Sequence, residues 1–247
     1  MREADRQRAI RVKLARMPPA RTPDALSTGF AALDAALGGG LPRGYLVEIF
    51  GPEGSGKTTL ALRMAAAVQA GGGTAAWIDA ERAFDPAYAA RLGIALERLP
   101  VARPESAEKA LEMARRLALS HSVDLLVVDS AAALAPELEL ATAIGESGWG
   151  LQSRVLATGL RRLAQAAAKT GACAVFLNQT RARMDESGGA AETSAGGAPL
   201  KLYAGVRLVL ARSSHGVSFR VLKNKAAAAF GQGELEGPGG TGISEMP

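Results

Sequence analysis

The stretch that decides the fold lies at residues 51–58 and reads Gly51-Pro52-Glu53-Gly54-Ser55-Gly56-Lys57-Thr58. Its pattern is G-x-x-x-x-G-K-[ST], the phosphate-binding loop. A strand-like apolar run over 45–50 precedes the loop, and a helical pattern from Thr59 to Ala70 follows it. In this context backbone N–H groups converge on phosphate oxygens. The alternative is a simple glycine-rich turn, which needs neither the strand before it nor the helix after it. The stretch therefore predicts a site for a nucleotide phosphate chain.

Two residues at the end of the loop have specific roles in this kind of site. Lys57 supplies a point charge to the β- and γ-phosphates, and the Thr58 hydroxyl is placed to ligate Mg²⁺. Lys57 is therefore counted among the candidate catalytic residues as well. The expected nucleotide-binding residues here are Gly51, Pro52, Glu53, Gly54, Ser55, Gly56, Lys57, Thr58 and Thr59.

Composition limits the class of protein. The chain has 247 residues, 48% of them hydrophobic and only 4% aromatic, which predicts a large core built from Ala, Leu and Val. No run approaches 18 uninterrupted apolar residues, so no membrane span is expected. The single Cys173 lies in an apolar run and is expected to be a buried, inert thiol. That expectation fits a reducing, cytoplasmic location.

The net charge of +5 is concentrated at the N-terminus. The first 24 residues contain seven Arg or Lys against three acidic residues. Such an arm can contact nucleic acid, remain a solvated tail, or dock onto a partner. We therefore divide the chain into a basic arm and linker (1–26), a core (27–230) and a Gly/Pro-rich tail (231–247) that we expect to be disordered.

Strand and helix patterns alternate along the core. The predicted strands are 45–50, 74–79, 124–129, 172–177, 206–212 and 217–223, and the predicted helices are 30–37, 57–70, 86–92, 106–120 and 151–169. This alternation predicts an α/β fold with a mostly parallel, twisted sheet and helices on both faces. The last two strands are expected to form an antiparallel hairpin. Residues 185–199 are too long for an ordinary connection and are expected to be functional or mobile.

Two acidic residues are expected at the carboxyl edge of the sheet, where ligands bind in open α/β folds. Asp129 ends the apolar run 125–128 and is predicted to hold Mg²⁺ through water together with Thr58. Glu81 follows the strand 74–79 and is the candidate for polarising an attacking water, with a surface-loop glutamate as the alternative. Asp85 and Tyr88 either face the base or ribose, or serve as helix-start and packing residues.

Two polar groups at other strand ends complete the predicted site. Asn178 and Gln179 follow the strand 172–177, and the neutral Gln179 amide can sense a γ-phosphate and couple it to the order of the next loop. The alternative is a turn-forming pair. Lys223 and Lys225 close the last strand and suit phosphate contact, including contact from a neighbouring subunit; a solvated strand end is the alternative.

The series of motifs resembles the ATPase core of bacterial RecA recombinases, a P-loop NTPase fold, over about Ser27 to Phe230. The matching blocks are Ser27-Thr28-Gly29, Leu33-Asp34, Gly39-Gly40-Leu41-Pro42-Arg43-Gly44, residues 51–59, Ile78-Asp79-Ala80-Glu81, Val127-Val128-Asp129-Ser130, Asn178-Gln179, Gly196-Gly197 and Lys223-Asn224-Lys225. The resemblance implies ATP with Mg²⁺, Glu81 as the catalytic glutamate and Gln179 as the nucleotide switch. It also places Asp85 and Tyr88 near the adenine, and Lys223 and Lys225 at the ATP of the adjacent protomer.

The resemblance further implies two DNA-binding loops, at 142–150 and 180–195. The candidate DNA-binding residues are Trp149, Arg154, Arg181, Arg183, Gly196 and Gly197. Trp149 either stacks on bases or anchors a subunit interface. Arg161 and Arg207 fall near family positions that contact DNA phosphates or line the interface. No counterpart of the family's carboxyl domain is recognisable, and the second loop lacks an apolar wedge.

The resemblance implies an ATP-dependent, single-stranded-DNA-binding ATPase of RecA type, a filament-forming homo-oligomer that acts in recombination, repair and the damage response. The alternative is a non-recombinogenic RecA-like accessory protein, similar to ImuA-like proteins, that binds RecA or a translesion polymerase. The intact loop, Asp129 and Glu81 favour the first hypothesis, and the depleted second loop favours the alternative.

Overall fold

The computed structural model describes residues 24–143, 150–184, 190–213 and 216–235, with the side chains of 181–193 outside that description. The helices are α1 (Ala31–Leu37), α2 (Lys57–Ala70), α3 (Pro86–Arg91), α4 (Ala107–Leu119), α5 (Glu137–Ala141), α6 (Leu151–Thr170) and α7 (Ala198–Tyr203). The five predicted helices are confirmed to within a few residues. Within the described ranges, no helix is long and apolar enough to cross a membrane.

The strands follow the predicted alternation with additions. They are β1 (Ala25–Leu26), β2 (Leu41–Pro42), β3 (Leu46–Gly51), β4 (Ala75–Asp79), β5 (Val101–Ala102), β6 (Leu125–Asp129), β7 (Cys173–Met184), β8 (Ala190–Ser194), β9 (Val206–Ser213), β10 (Gly216–Asn224) and β11 (Gln232–Leu235). Two short 3₁₀ turns, Leu96–Arg98 and Ala131–Ala133, complete the described elements.

One sheet organises the chain. Its order is β11-β10-β9-β3-β7-β6-β4-β5, with β8 paired to β7. The strands β9, β3, β7, β6, β4 and β5 are parallel neighbours, and β10, β11 and β8 pair antiparallel. The predicted hairpin of β9 and β10 is confirmed, with Ser213 paired to Gly216. The phosphate-binding loop leaves β3 in the middle of the sheet, as open α/β folds require.

The core lies on both faces of the sheet, as predicted. One hydrophobic cluster contains Val47 and Val127 and packs under α2. The other contains Leu46 and Val128 and packs under α4 and α6. Adjacent residues of a strand point to opposite faces, so a strand covered on both sides reads as a continuous apolar run.

The predicted core, 27–230, was too short at both ends. The tail was expected to be disordered from Gly231, but Gln232–Leu235 forms β11 against β10. Leu235 is buried in the cluster that also contains α1, and that burial stabilises the strand. At the other end, residues 25–26 of the expected linker pair with β2, and the Leu26 side chain is buried.

The connection at 185–199 was also predicted with too little structure. β7 continues beyond the expected end at 177 to Met184, and β8 returns antiparallel to it. The helix α7 follows from Ala198, and its Leu200 is buried under the α6 face. Residues 185–189 lie outside the described part of the chain.

Candidate nucleotide-binding and catalytic site

The phosphate-binding loop is shaped by its glycines. Gly54 and Gly56 have φ angles of 68° and 84°, in the left-handed region that favours glycine. A Cβ on Gly51 would lie 2.4 Å from the Leu210 carbonyl oxygen, because β9 runs directly beside the start of the loop. The loop therefore depends on glycine for its backbone angles and for its close packing against β9.

Lys57 is held against the loop itself. Its ammonium donates to the carbonyl oxygens of Gly51 at 3.0 Å and Pro52 at 2.6 Å. Burial lowers the pKa of Lys57, and the nearby carboxylates of Asp129, Glu81 and Glu53 oppose that effect. The ammonium thus sits at the N-terminus of α2 with acidic groups around it, which suits a cation that meets a phosphate and a metal ion together.

Thr58 and Asp129 meet across two elements. The Thr58 hydroxyl donates to Asp129 Oδ2 at 3.0 Å, from the first turn of α2 to the end of β6. Burial raises the pKa of Asp129 to about 6; the neighbouring acids Glu81 and Asp79 add to this, while Thr58 and Lys57 oppose it. Mg²⁺ prefers one or two carboxylates together with phosphate oxygens and water, so this hydroxyl–carboxylate pair beside a phosphate loop fits that ion.

Glu81 lies beside this pair, as predicted from its position after β4. Asp79 and Asp129 are register partners, and the N–H groups of Ala80 and Glu81 donate to the Asp129 carbonyl at 2.7 and 3.1 Å. The buried Ser130 hydroxyl donates to the Glu81 carboxylate. The structure therefore brings Glu81, Asp129, Thr58 and Lys57 to one sheet edge.

Asp85 and Tyr88 were each predicted either to face the base or ribose or to serve as helix-start and packing residues, and their contacts differ. Asp85 is the N-cap of α3, and its carboxylate accepts from the N–H groups of Ala87 at 2.8 Å and Tyr88 at 3.1 Å. Asp85 therefore has the predicted helix-start role. The Tyr88 hydroxyl lies 2.7 Å from the Thr59 hydroxyl, and Tyr88 lines the cavity above the loop. The adenine contacts of both residues remain predictions.

Gln179 lies next to the loop. It is the register partner of Gly51 across β3 and β7, and its side chain is exposed. Its carbonyl accepts from the N–H of Ala195 at 2.9 Å, directly after β8. The sequence-predicted switch position is thus connected both to the phosphate-binding loop and to the segment that carries β8.

A buried polar network lies under this connection. Asn178 Nδ2 donates to Glu48 Oε1 at 3.0 Å and to the Ala195 carbonyl at 2.9 Å. Arg207 Nε donates to Glu48 Oε2 at 2.5 Å, and its Nη2 donates to Ser194 Oγ at 3.2 Å. The expectation that Arg207 contacts DNA or lines an interface is wrong for the described chain, because its guanidinium is buried in this ion pair and lies 4.8 Å from the Phe50 ring centroid.

The two lysines at the end of β10 differ in environment. Lys223 donates to the carbonyls of Lys201 and Leu202 at 2.9 and 3.2 Å, near the C-terminus of α7. Burial lowers its pKa, and the charges of Lys225 and Arg207 lower it further. Lys225 is exposed. Their contact with a neighbouring protomer's nucleotide remains a prediction.

The candidate DNA-binding residues are only partly within the described chain. Gly196 and Gly197 have φ angles of 78° and 79°, and Gly197 is the N-cap of α7. Both pack against α6, since Cβ atoms there would lie 3.3 Å from Leu156 and from Ser153. Arg154 is exposed in the first turn of α6. Trp149 and the side chains of Arg181 and Arg183 lie outside the described residues.

Comparison with known proteins decides the family. The profile of the RecA N-terminal domain matches residues 10–244. The chain belongs to the RecA family. Protein RecA of Thermus thermophilus is 46% identical over 247 residues, covering 95% of this chain and 72% of that protein. Protein RecA of Caulobacter vibrioides is 42% identical over 269 aligned positions, covering 99% and 76%. Protein RecA of Crocosphaera subtropica is 45% identical over 234, covering 90% and 67%.

Some residues of this RecA-family site were given no role from the sequence. Ser130 follows Asp129 directly, and a hydroxyl next to the predicted metal-binding carboxylate was a signal that could have indicated its bond to Glu81. Glu48 is a charge inside an otherwise apolar strand, which indicates a buried partner. Arg212 Nε donates to the Gly54 carbonyl at 2.8 Å, a contact with no local signal because it depends on the pairing of β9 with β3.

Proposed function

We propose that this chain is an ATP-dependent, single-stranded-DNA-binding ATPase of RecA type that acts in homologous recombination, DNA repair and the damage response. The observation that carries the proposal is the meeting of Lys57, Thr58, Asp129 and Glu81 at one sheet edge. Membership of the RecA family supports the recombination and repair context.

In the proposed reaction each residue of the site has one task. The loop N–H groups and Lys57 bind the phosphates, with Lys57 moving from the loop carbonyls to the phosphate oxygens. Thr58 and Asp129 would hold Mg²⁺, which when bound would offset the negative charge of the phosphates. Glu81, oriented by Ser130, polarises the attacking water and accepts its proton.

Gln179 couples this chemistry to DNA. Its side chain contacts the terminal phosphate from the position next to Gly51, and loss of that phosphate releases it. The Ala195 N–H donates to the Gln179 carbonyl, and the Ala195 carbonyl accepts from Asn178 Nδ2, so the change passes to β8 and towards residues 185–189. The candidate DNA-binding residues on either side then hold the strand, mainly by its phosphates.

Assembly of copies into a filament places Lys223 and Lys225 of one copy at the ATP of the next. In that arrangement Lys223 gives up its bonds to the α7 carbonyls when a neighbour's phosphate is present. Its lowered pKa follows from burial and from the cations around it, and an added anion reverses that cost. ATP binding and self-association are therefore coupled in this proposal.

The test is ATP turnover with and without poly-dT single strands, in wild type, Glu81→Gln and the control Glu97→Gln. Glu97 is exposed on the 3₁₀ turn 96–98, so Glu97→Gln removes the same charge from an unrelated surface. We expect DNA to stimulate the wild type and the control, and Glu81→Gln to lose about 100-fold or more in turnover. Turnover in wild type that DNA does not change would favour the accessory-protein alternative.

A further inference from the structure

Arg212 lies against the phosphate-binding loop. Its Nε donates to the Gly54 carbonyl at 2.8 Å. A Cβ on Gly54 would lie 3.6 Å from Arg212 Nη2, so the guanidinium also packs over the middle of the loop. The loop is therefore contacted by a side chain that lies 158 residues away in the sequence.

The sheet explains how this arginine reaches the loop. β9 is the parallel neighbour of β3, and its residues Leu208 and Leu210 are buried in the cluster under α2. Side chains alternate between the two faces of a strand, so Arg212 lies on the same face of β9 as Leu208 and Leu210. It extends beyond the buried core to the place where the phosphate-binding loop and α2 begin. Its register partner Val217 belongs to the same cluster.

Arg212 also forms part of the wall of the nucleotide cavity. The cavity has a volume of about 340 Å³, and it is lined by the loop from Gly54 to Thr59 together with Tyr88, Arg212 and Val217. Lys57 and Thr58, the predicted phosphate and metal residues, line the same space. A guanidinium in this wall faces the same ligand as they do.

The side chain of Arg212 is exposed and is therefore available to a ligand. Among the residues whose side chains the structure describes, no carboxylate makes an ion pair with it. Arginine carries five N–H donors, and the bond to Gly54 occupies one of them. The remaining donors have the planar geometry that matches phosphate oxygens.

We propose that Arg212 is a further nucleotide-binding residue, which fixes the loop through Gly54 and donates its remaining N–H groups to phosphate oxygens of the bound nucleoside triphosphate. This inference rests on the proposed ATP site and adds to it a cation from outside the loop motif.

The test compares Arg212→Gln with the control Arg220→Gln. Arg220 is exposed on β10 and pairs with Val209, whose side chain points to the opposite face of β9 from Arg212. Calorimetry measures the affinity of each protein for Mg²⁺ with a non-hydrolysable ATP analogue, and for Mg²⁺ with tripolyphosphate. Thermal unfolding without nucleotide measures whether the fold is intact.

We expect Arg212→Gln to weaken both ligands by a similar factor of about tenfold, and to unfold at the wild-type temperature without nucleotide. Arg220→Gln should bind both ligands as the wild type does. Equal affinity in Arg212→Gln and wild type would overturn the proposal, and so would a loss confined to the ATP analogue, which would assign Arg212 to the base or ribose. Absence of binding by the wild type would instead refute the proposed ATP site.

Discussion

The Thr58 hydroxyl and the Asp129 carboxylate are joined by a 3.0 Å hydrogen bond between the first turn of α2 and the last residue of β6. The bond places a neutral and an anionic oxygen side by side beneath the phosphate-binding loop. Negative charge from Glu81 and Asp79 also raises the pKa of the Asp129 carboxyl, and Asp79 is itself paired with Arg103 at 2.9 Å. A site that binds a cation can concentrate negative charge in this way, and the raised pKa has a measurable cost in stability.

Asp129→Asn should therefore stabilise the protein when magnesium is removed with EDTA. Burial and neighbouring acids raise the pKa of Asp129 to about 6, above the ordinary value of about 3.9. The folded state binds the proton more tightly than the unfolded state, so ionisation of Asp129 lowers stability as pH rises from about 4 through about 6. At pH 7 the variant should be more stable than wild type by about 1–2 kcal/mol.

The same variant should lose the stabilisation that Mg²⁺ with an ATP analogue gives the wild type. Thermal unfolding at several pH values, with and without that ligand, checks both parts. The difference between the two proteins without ligand should disappear below about pH 3, where Asp129 is protonated in both states. If Asp129→Asn without nucleotide were less stable than wild type at pH 7, ionised Asp129 would not destabilise the folded protein as predicted.

The buried ion pair of Glu48 and Arg207 should be strongly coupled. Removing one partner leaves a buried charge uncompensated, so Glu48→Gln and Arg207→Met should each cost about 3–5 kcal/mol of unfolding free energy. The double variant should cost less than the sum of the two, since no uncompensated charge remains. Urea unfolding of the four proteins measures the coupling, and additive losses would mean that the pair does not act as a unit.

Gly159 on α6 should be sensitive to a single added methyl group. Gly→Ala inside a helix ordinarily stabilises a protein by roughly 0.5–1 kcal/mol. Here the added Cβ would lie 2.5 Å from Leu111 Cδ1 and 2.9 Å from Leu111 Cβ on α4. We expect Gly159→Ala to destabilise the protein by about 1–3 kcal/mol in urea unfolding. A gain in stability would mean that α4 and α6 are packed less closely than described.

Cys173 should be protected from thiol reagents in the folded protein. The side chain is fully buried in β7, and burial raises the pKa of the thiol to about 12. Because the thiolate is the reactive form, labelling by a disulfide reagent at pH 8 should be at least about 100-fold slower in buffer than in urea. Equal rates in the two solvents would contradict the burial.

The sequence predicted the parts of the site that depend on local pattern. The loop, the strand before it and α2 are adjacent along the chain. Asp129 ends β6 and Glu81 follows the end of β4 by two residues, and the parallel sheet fixes the direction of both strands. Their convergence could therefore be predicted without coordinates. The buried state of Cys173 followed from its apolar neighbours in the same way.

Errors arose where a residue depends on a distant partner. The sequence around Arg207 predicts a surface cation. Arg207 is instead buried, because it bonds to Glu48 on β3 and to Ser194 at the end of β8. The tail after Gly231 has the composition of a disordered segment, but Leu235 completes a core cluster that includes α1. Neither pairing leaves a periodic signal in the local sequence.

Calorimetric titration of Mg²⁺ with a non-hydrolysable ATP analogue into wild type and Lys57→Ala tests the nucleotide site most directly. Lys169→Ala, an exposed lysine on α6, is the control for loss of one positive charge. We predict Mg²⁺-dependent binding of about one nucleotide per chain in wild type and control, and affinity weakened by about 100-fold or more in Lys57→Ala. Wild type that does not bind the nucleotide, or Lys57→Ala that binds it equally well, would contradict the account.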